Sequence, residues 1–354
     1  MQLDVDAVQT GDWARLGAAL HGAGYTTEGL RAAIGLSDPV EEILRNTGRY
    51  SFFYIDRLAG ADGPFAVLAR LFMLCGRVPA IDLDRLGDAL AELLRRTGLV
   101  VAVPDDPASV RATAAITEVR GRLFLSDPLF ENTGGGFIVH DTTGRCMPPH
   151  ASSLELLGRL RGPDSATSFL DVGCGSGCQS LLFAAGHERV TGFDPGVRQV
   201  SFARANARLN GVEATYVVDR WETFPPAEPF DHVAFNTPSA ETAFGFVNAG
   251  LDKLLAPSGV AQVWLVSELM DDERGWPEHV ARRLERPGDW EVATHVHAGS
   301  PFSLPARYLG EGRMPAGTLL VDHPSKARAY VADLRRRRVA EVASLTLTIS
   351  RRGS

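Results

Sequence analysis

The stretch SFLDVGCGSGCQSLLFA, residues 168–184, decides how this chain is read. An apolar strand runs into Asp171. Gly173, Gly175 and Gly177 follow, and a helix begins. Glycines at alternate positions let a backbone turn sharply and approach a ligand closely. The spacing is G-x-G-x-G, and Cys178 stands where a dinucleotide fingerprint would place its third glycine. A P-loop would need Gly-Lys-Ser/Thr, which is missing here. An acid two residues ahead of the first glycine repels a phosphate and suits a cationic ligand.

Outward from that loop, strands and helices alternate. Strands are expected at 168–172, 189–194, 214–219, 231–236, 260–268, 290–298 and 343–350. Helices are expected at 178–186, 196–210, 242–255 and 275–286. Such alternation predicts an α/β fold with a doubly wound, mostly parallel sheet. Ligands of these sheets bind at the carboxyl ends of the strands. The second and third strands end there in Asp194 and Asp219, and Trp221 follows. Between the sixth and seventh strands lies a long insertion, about 299–342, which holds Tyr308, His323 and an expected helix at 325–341. Long insertions in compact domains commonly form lids or caps. This one carries a net charge of +4 while the rest of the chain carries −11.

Residues 1–125 read as a separate, mostly helical module. Apolar residues recur at three- and four-residue spacing in 12–20, 26–35, 38–46, 64–75 and 83–97. Short strands follow at 99–103, 110–113 and 123–125, which gives a winged-helix-like outline. The remainder, 126–354, is read as the ligand-binding domain. The whole chain of 354 residues has 36 basic and 43 acidic side chains, a net charge of −7. That balance offers no general attraction to nucleic acid or an anionic membrane. No run reaches the ~18 apolar residues that span a bilayer. The N-terminus has no signal-peptide pattern, so the expected location is the cytoplasm. The Cys174/Cys178 pair lacks a partner pair at ligand spacing, so no metal is assigned.

The loop, with its acid and three glycines, resembles motif I of class I S-adenosylmethionine (SAM) methyltransferases. The text around Asp194 (VTGFD), the following PGVRQVSFARANARLNGV, and ATYVVD ending in Asp219 continue the resemblance in order. It implies a seven-stranded Rossmann-like sheet and SAM as cofactor. Asp171, Gly173, Gly175 and Gly177 would line the loop, Asp194 would hold the ribose, Asp219 the adenine amine, and Trp221 would flank the adenine. The fourth strand, FDHVAFNTPSA, resembles the N-P-P-Y/F motif of methyltransferases that act on planar nitrogen groups, among them release-factor glutamine and ribosomal RNA guanine enzymes. Asn236 and Pro238 match that motif. Thr237 replaces a proline and Ser239 replaces the aromatic residue. The upstream RLFLSDPLF and MPPHASSLELL resemble the lead-in to the same domain.

Losing the aromatic platform removes a stacking contribution of ~1–3 kcal/mol for a flat base. The expected substrate is therefore a small or peptide-like specialised metabolite, methylated on nitrogen. Asn236 would orient that nitrogen and also lie by the cofactor, Pro238 would assist it, and His295 and Tyr308 are the candidate base and polar orienter. His295 and His297 alternate on one strand and so share a face. Two other activities stay open. One uses SAM as its own substrate, cyclising its side chain to azetidine carboxylate with release of methylthioadenosine. The other is methylation of ribosomal RNA or a protein glutamine. A helical module in such enzymes often makes dimers, which sets a homodimer as the expectation by analogy.

Overall fold

The computed structural model describes residues 3–34, 58, 61, 63–133, 136–162, 166–183, 186–304 and 324–353. They divide into two compact units: Met1–His150 with Gly175–Leu182 and Gly196–Tyr216, and Ala151–Cys174 with Phe183–Pro195 and Val217–Ser354.

The first unit begins with helices α1 (Thr10–Gly22), α2 (Thr27–Ile34) and α3 (Pro64–Leu68), the last running on as a π-helical turn, Ala69–Met73. The expected helix at 38–46 lies outside the described residues. Residues 83–97 are not one helix. Gly87, at φ +77°, separates a 3-10 stretch, Ala80–Leu86, from α4 (Asp88–Arg96). Strands β1 (Arg77–Pro79), β2 (Val100–Val103) and β3 (Asp106–Ala112) form an antiparallel sheet in the order β1-β3-β2. Two hairpins follow, β4 (Ala115–Val119) with β5 (Arg122–Ser126), and β6 (Phe130–Asn132) with β7 (Phe137–Val139). Trp13, Leu16, Leu20, Phe72, Leu83 and Leu94 are completely buried in this unit's core. Each fully buried Leu or Phe contributes roughly 1.5–3 kcal/mol.

Helix α7 (Val197–Leu209) belongs to this unit, although the sequence places it between sheet strands. The cause is a pair of amides. The Asn206 side chain accepts from the Leu125 N–H at 2.7 Å and donates to the Leu125 carbonyl at 3.0 Å. Asn210, one turn later, does the same for Leu123 at 2.8 and 2.7 Å. The backbone edge of β5 is thus satisfied by two side chains, as a neighbouring strand would do it.

The second unit is dominated by a seven-stranded sheet. Its strands are β8 (Ser168–Val172), β9 (Arg189–Asp194), β10 (Thr215–Val218), β11 (Phe230–Asn236), β12 (Leu255–Met270), β13 (Trp290–Val296) and β14 (Val339–Arg351). Their order is β10-β9-β8-β11-β12-β14-β13. The pairs β9–β8, β8–β11 and β11–β12 are parallel, and β14 runs antiparallel to both β12 and β13. Every residue of β8 is buried, as a central strand in a parallel sheet requires. The strand order reverses between β8 and β11, and that switch point is where open α/β sheets bind ligands. Helix α5 (Ala151–Leu157) precedes the sheet. α6 (Cys178–Phe183), which groups with the first unit as far as Leu182, starts at the end of the glycine loop. After β11 come α8 (Ala240–Gly245), a π-helical turn and α9 (Leu251–Leu254), where the sequence suggested one helix over 242–255. Then come α10 (Trp276–Ala281) and α11 (Pro324–Arg336).

Candidate active site

The glycine loop has the backbone that its composition predicts. Gly173, Gly175 and Gly177 have φ of +61°, +53° and +81°, the left-handed region where a Cβ is strained. A Cβ on Gly173 would meet the Phe235 ring at 3.1 Å, and one on Gly177 would lie 2.9 Å from the Tyr216 hydroxyl. At Gly175 a Cβ would meet nothing within 4 Å. Its left-handed backbone therefore leaves open space, as a ligand cradle would. Asp171 is 1% exposed at the end of β8.

Asp194 ends β9, and Asp219 lies one residue past β10. The Asp219 N–H donates to the Asp194 carbonyl at 3.1 Å, so the two acids sit side by side at adjacent strand ends. Asp219 Oδ1 accepts from the Thr223 hydroxyl and the Arg220 N–H, and these bonds hold its carboxyl below the usual carboxylate range. The Trp221 indole packs on Gly250, where a Cβ would lie 2.7 Å from the ring, and meets the Phe246 ring edge-on at 6.1 Å. Within the second unit, the buried Asp171 and the two acids on neighbouring strand ends suit a cationic, ribose-bearing cofactor.

At the end of β11, Asn236 donates from Nδ2 to the Ser152 hydroxyl at 2.9 Å. Its Oδ1 accepts no hydrogen bond among the described residues. The two departures from the N-P-P-Y/F text have structural reasons. Thr237 uses the N–H that proline lacks to donate to the Trp264 carbonyl at 3.1 Å, and its hydroxyl donates there as well. Ser239 is the N-cap of α8 and accepts from the Thr242 N–H at 3.1 Å. Pro238 is exposed.

Strand register connects Asn236 to the histidines. Asn236 pairs with Trp264, Trp264 with Thr346, and Thr346 with His295, so the four side chains form one row on one face. Three strand spacings, about 14 Å, separate Asn236 from His295, beyond direct reach of a shared nitrogen. The Arg159 guanidinium lies 2.7 Å from His295 Nδ1. Burial and then Arg159 lower the His295 pKa. His297 contacts the Thr346 hydroxyl at 2.7 Å. Tyr308, His323 and most of the 299–342 insertion lie outside the described residues.

The structure adds a residue that the motifs did not single out. Glu155 is 7% exposed on α5, and its Oε2 accepts from Trp264 Nε1 at 2.9 Å and the Ser344 hydroxyl at 3.0 Å. Its signal was available in MPPHASSLELL, where one acid interrupts a run that the structure buries from Ala151 to Leu157.

Residues 169–259 match the family model described as a methyltransferase domain. A stretch of 91 residues is 36% identical to the tRNA (uracil(54)-C(5))-methyltransferase of Saccharomyces cerevisiae; it spans 25% of this chain and 13% of the yeast protein. Among solved structures, the chain is similar to coclaurine N-methyltransferase bound to N-methylheliamine and SAH (TM-score 0.37, 13% identity, 56% of this chain, 70% of the other). It is also similar to the cyclopropane synthase MmaA2 from Mycobacterium tuberculosis (TM-score 0.37, 17% identity, 56% and 83%). The sheet and the matched segment define a class I SAM-dependent methyltransferase fold. SAM is the cofactor that such a domain takes.

Proposed function

We propose that the chain is a SAM-dependent N-methyltransferase acting on a small or peptide-like specialised metabolite. The observation that carries this is Asn236, whose Nδ2 is held by Ser152 and whose Oδ1 is left open at the strand end beside the glycine loop's strand. When bound, SAM supplies a methyl group already activated on a sulfonium. The chain's own task is to place a nitrogen in line and exclude water. Asp171 and the glycine backbone hold the cofactor's charged end, and Asp194 and Asp219 hold its nucleoside. Asn236 Oδ1 accepts an N–H of the acceptor and turns the nitrogen lone pair toward the methyl. Ser239, committed to capping α8, gives no aromatic platform, which supports a substrate other than a nucleobase or a glutamine amide.

Isothermal titration with SAM and S-adenosylhomocysteine (SAH) tests the first half: both are expected to bind, and binding of neither at sub-millimolar concentration rejects the reading. Incubation with SAM alone is expected to leave it intact. Release of methylthioadenosine would instead mark SAM as the substrate.

A further inference from the structure

Resting on the nitrogen-acceptor reading above, we infer that Glu155 and Asn236 together form the subsite for the acceptor's amino group, which makes the acceptor an alkyl amine rather than an amide, a phenol or a nucleobase. Glu155 is a buried carboxylate without an ion-pair partner among the described residues. A carboxylate withdrawn from water is costly; its charge acts on His295, which Arg159 contacts, but neither is ion-paired to it, so a cation bonded directly to Glu155 adds to the balance. Two neutral donors occupy its Oε2. Its Oε1 accepts nothing among the described residues and is not sealed from solvent.

Two connections make Glu155 a neighbour of Asn236. Ser152, which fixes Asn236, lies three residues before Glu155 on α5, a spacing that puts both on the same helix face. Trp264, which donates to Glu155, is the strand neighbour of Asn236. The pair therefore presents two acceptors. An alkylammonium gives two N–H bonds to them, and loss of its third proton to solvent leaves a lone pair that points away from both acceptors. A phenolate or an amide carbonyl would bring a further acceptor against a carboxylate. The Trp264 and Phe302 rings, edge to face at 5.2 Å, stand beside the pair as an apolar wall for the alkyl part.

The test titrates n-butylamine, butyramide and 1-butanol into the full chain saturated with SAH, at matched ionic strength. Wild type is expected to bind butylamine saturably and neither neutral analogue. Glu155→Gln keeps a carbonyl for Trp264 and Ser344 but puts an NH2 at the open position. It is expected to weaken butylamine at least tenfold while SAH affinity stays unchanged. Equal butylamine affinity in E155Q, no butylamine binding in wild type, or equal binding of butyramide would overturn the subsite. If E155Q does not fold, Asn236→Ala reads the other half of the pair, with the same loss expected and unchanged affinity overturning the inference. The titration is repeated without SAH. A chain that takes no SAH yet binds butylamine through Glu155 sinks the methyltransferase reading and leaves the subsite standing.

Discussion

In the proposed function Asn236, Gly175 and Ser239 differ in what they contribute. Asn236 would act by orientation, since its amide nitrogen is already bonded to Ser152. Asn236→Ala is expected to lower methyl transfer about 100-fold, the scale of a misplaced reactant. Single-turnover transfer with a labelled methyl group would check it, with urea unfolding as the control for an intact fold. In that reading Gly175 would act through its backbone, because a Cβ there would meet nothing within 4 Å and its φ is +53°. Gly175→Ala is expected to weaken SAH roughly tenfold, about 1.4 kcal/mol, with a left-handed strain of ~1–2 kcal/mol behind it. Calorimetry gives the first value and denaturant unfolding the second; an unchanged SAH affinity would mean the loop does not touch the cofactor. Ser239 shows a position doing structural work where related motifs place a recognition group.

Between elements, hydrogen-bonded side chains do what sequence periodicity does not reveal. Asn206→Ala would strand the N–H and carbonyl of Leu125. It is expected to destabilise the chain by about 2–6 kcal/mol, from roughly 1–3 for each of these two groups, measured by urea unfolding. A second network joins β12 to α10. His279, 0% exposed, contacts the Ser267 hydroxyl and Glu273 at 2.7 Å each, and Arg283 pairs with Glu273 at 3.0 Å. Burial alone would raise the Glu273 carboxyl, but bonds from His279, the Met270 N–H and Arg283 outweigh it and bring it to about 2. Its contribution is thus complete above its ordinary value of 4.5 and is lost as pH falls toward about 2. Burial also lowers His279, so protonation below its ordinary 6.5 works in the same direction. Glu273→Gln is expected to lower the melting temperature at pH 7 and to flatten its fall in acid; a parallel fall in both proteins would remove the network from acid lability. The central strands were legible because apolar runs end in Asp171 and Asp194. The acids were legible because charge at strand ends stands out. Glu155 was not, because its meaning comes from Trp264 and Ser344, distant in sequence and close only after pairing. Gly87 was hidden too, since a leucine rhythm runs straight through it and only its φ of +77° divides the helix.

Over the whole chain, a net charge of −7 predicts indifference to polyanions. A duplex gel shift at low salt is expected to stay flat; salt-dependent retardation would overturn that expectation. No helix among the described residues is long and apolar enough to cross a membrane. The sheet's connectivity bears on how the molecule is made. β14 lies between β12 and β13, yet β13 ends at Val296 and β14 begins only at Val339. During synthesis β13 emerges with no strand to join, and β12 shows an open edge until the later segment arrives. Unpaired edges of this kind recruit other chains. The strand that carries Thr346 and Ser344 therefore joins the sheet after both its neighbours have been made, and a ribosome paused in the intervening stretch holds out a nascent chain prone to aggregate before β12 and β13 have their shared partner.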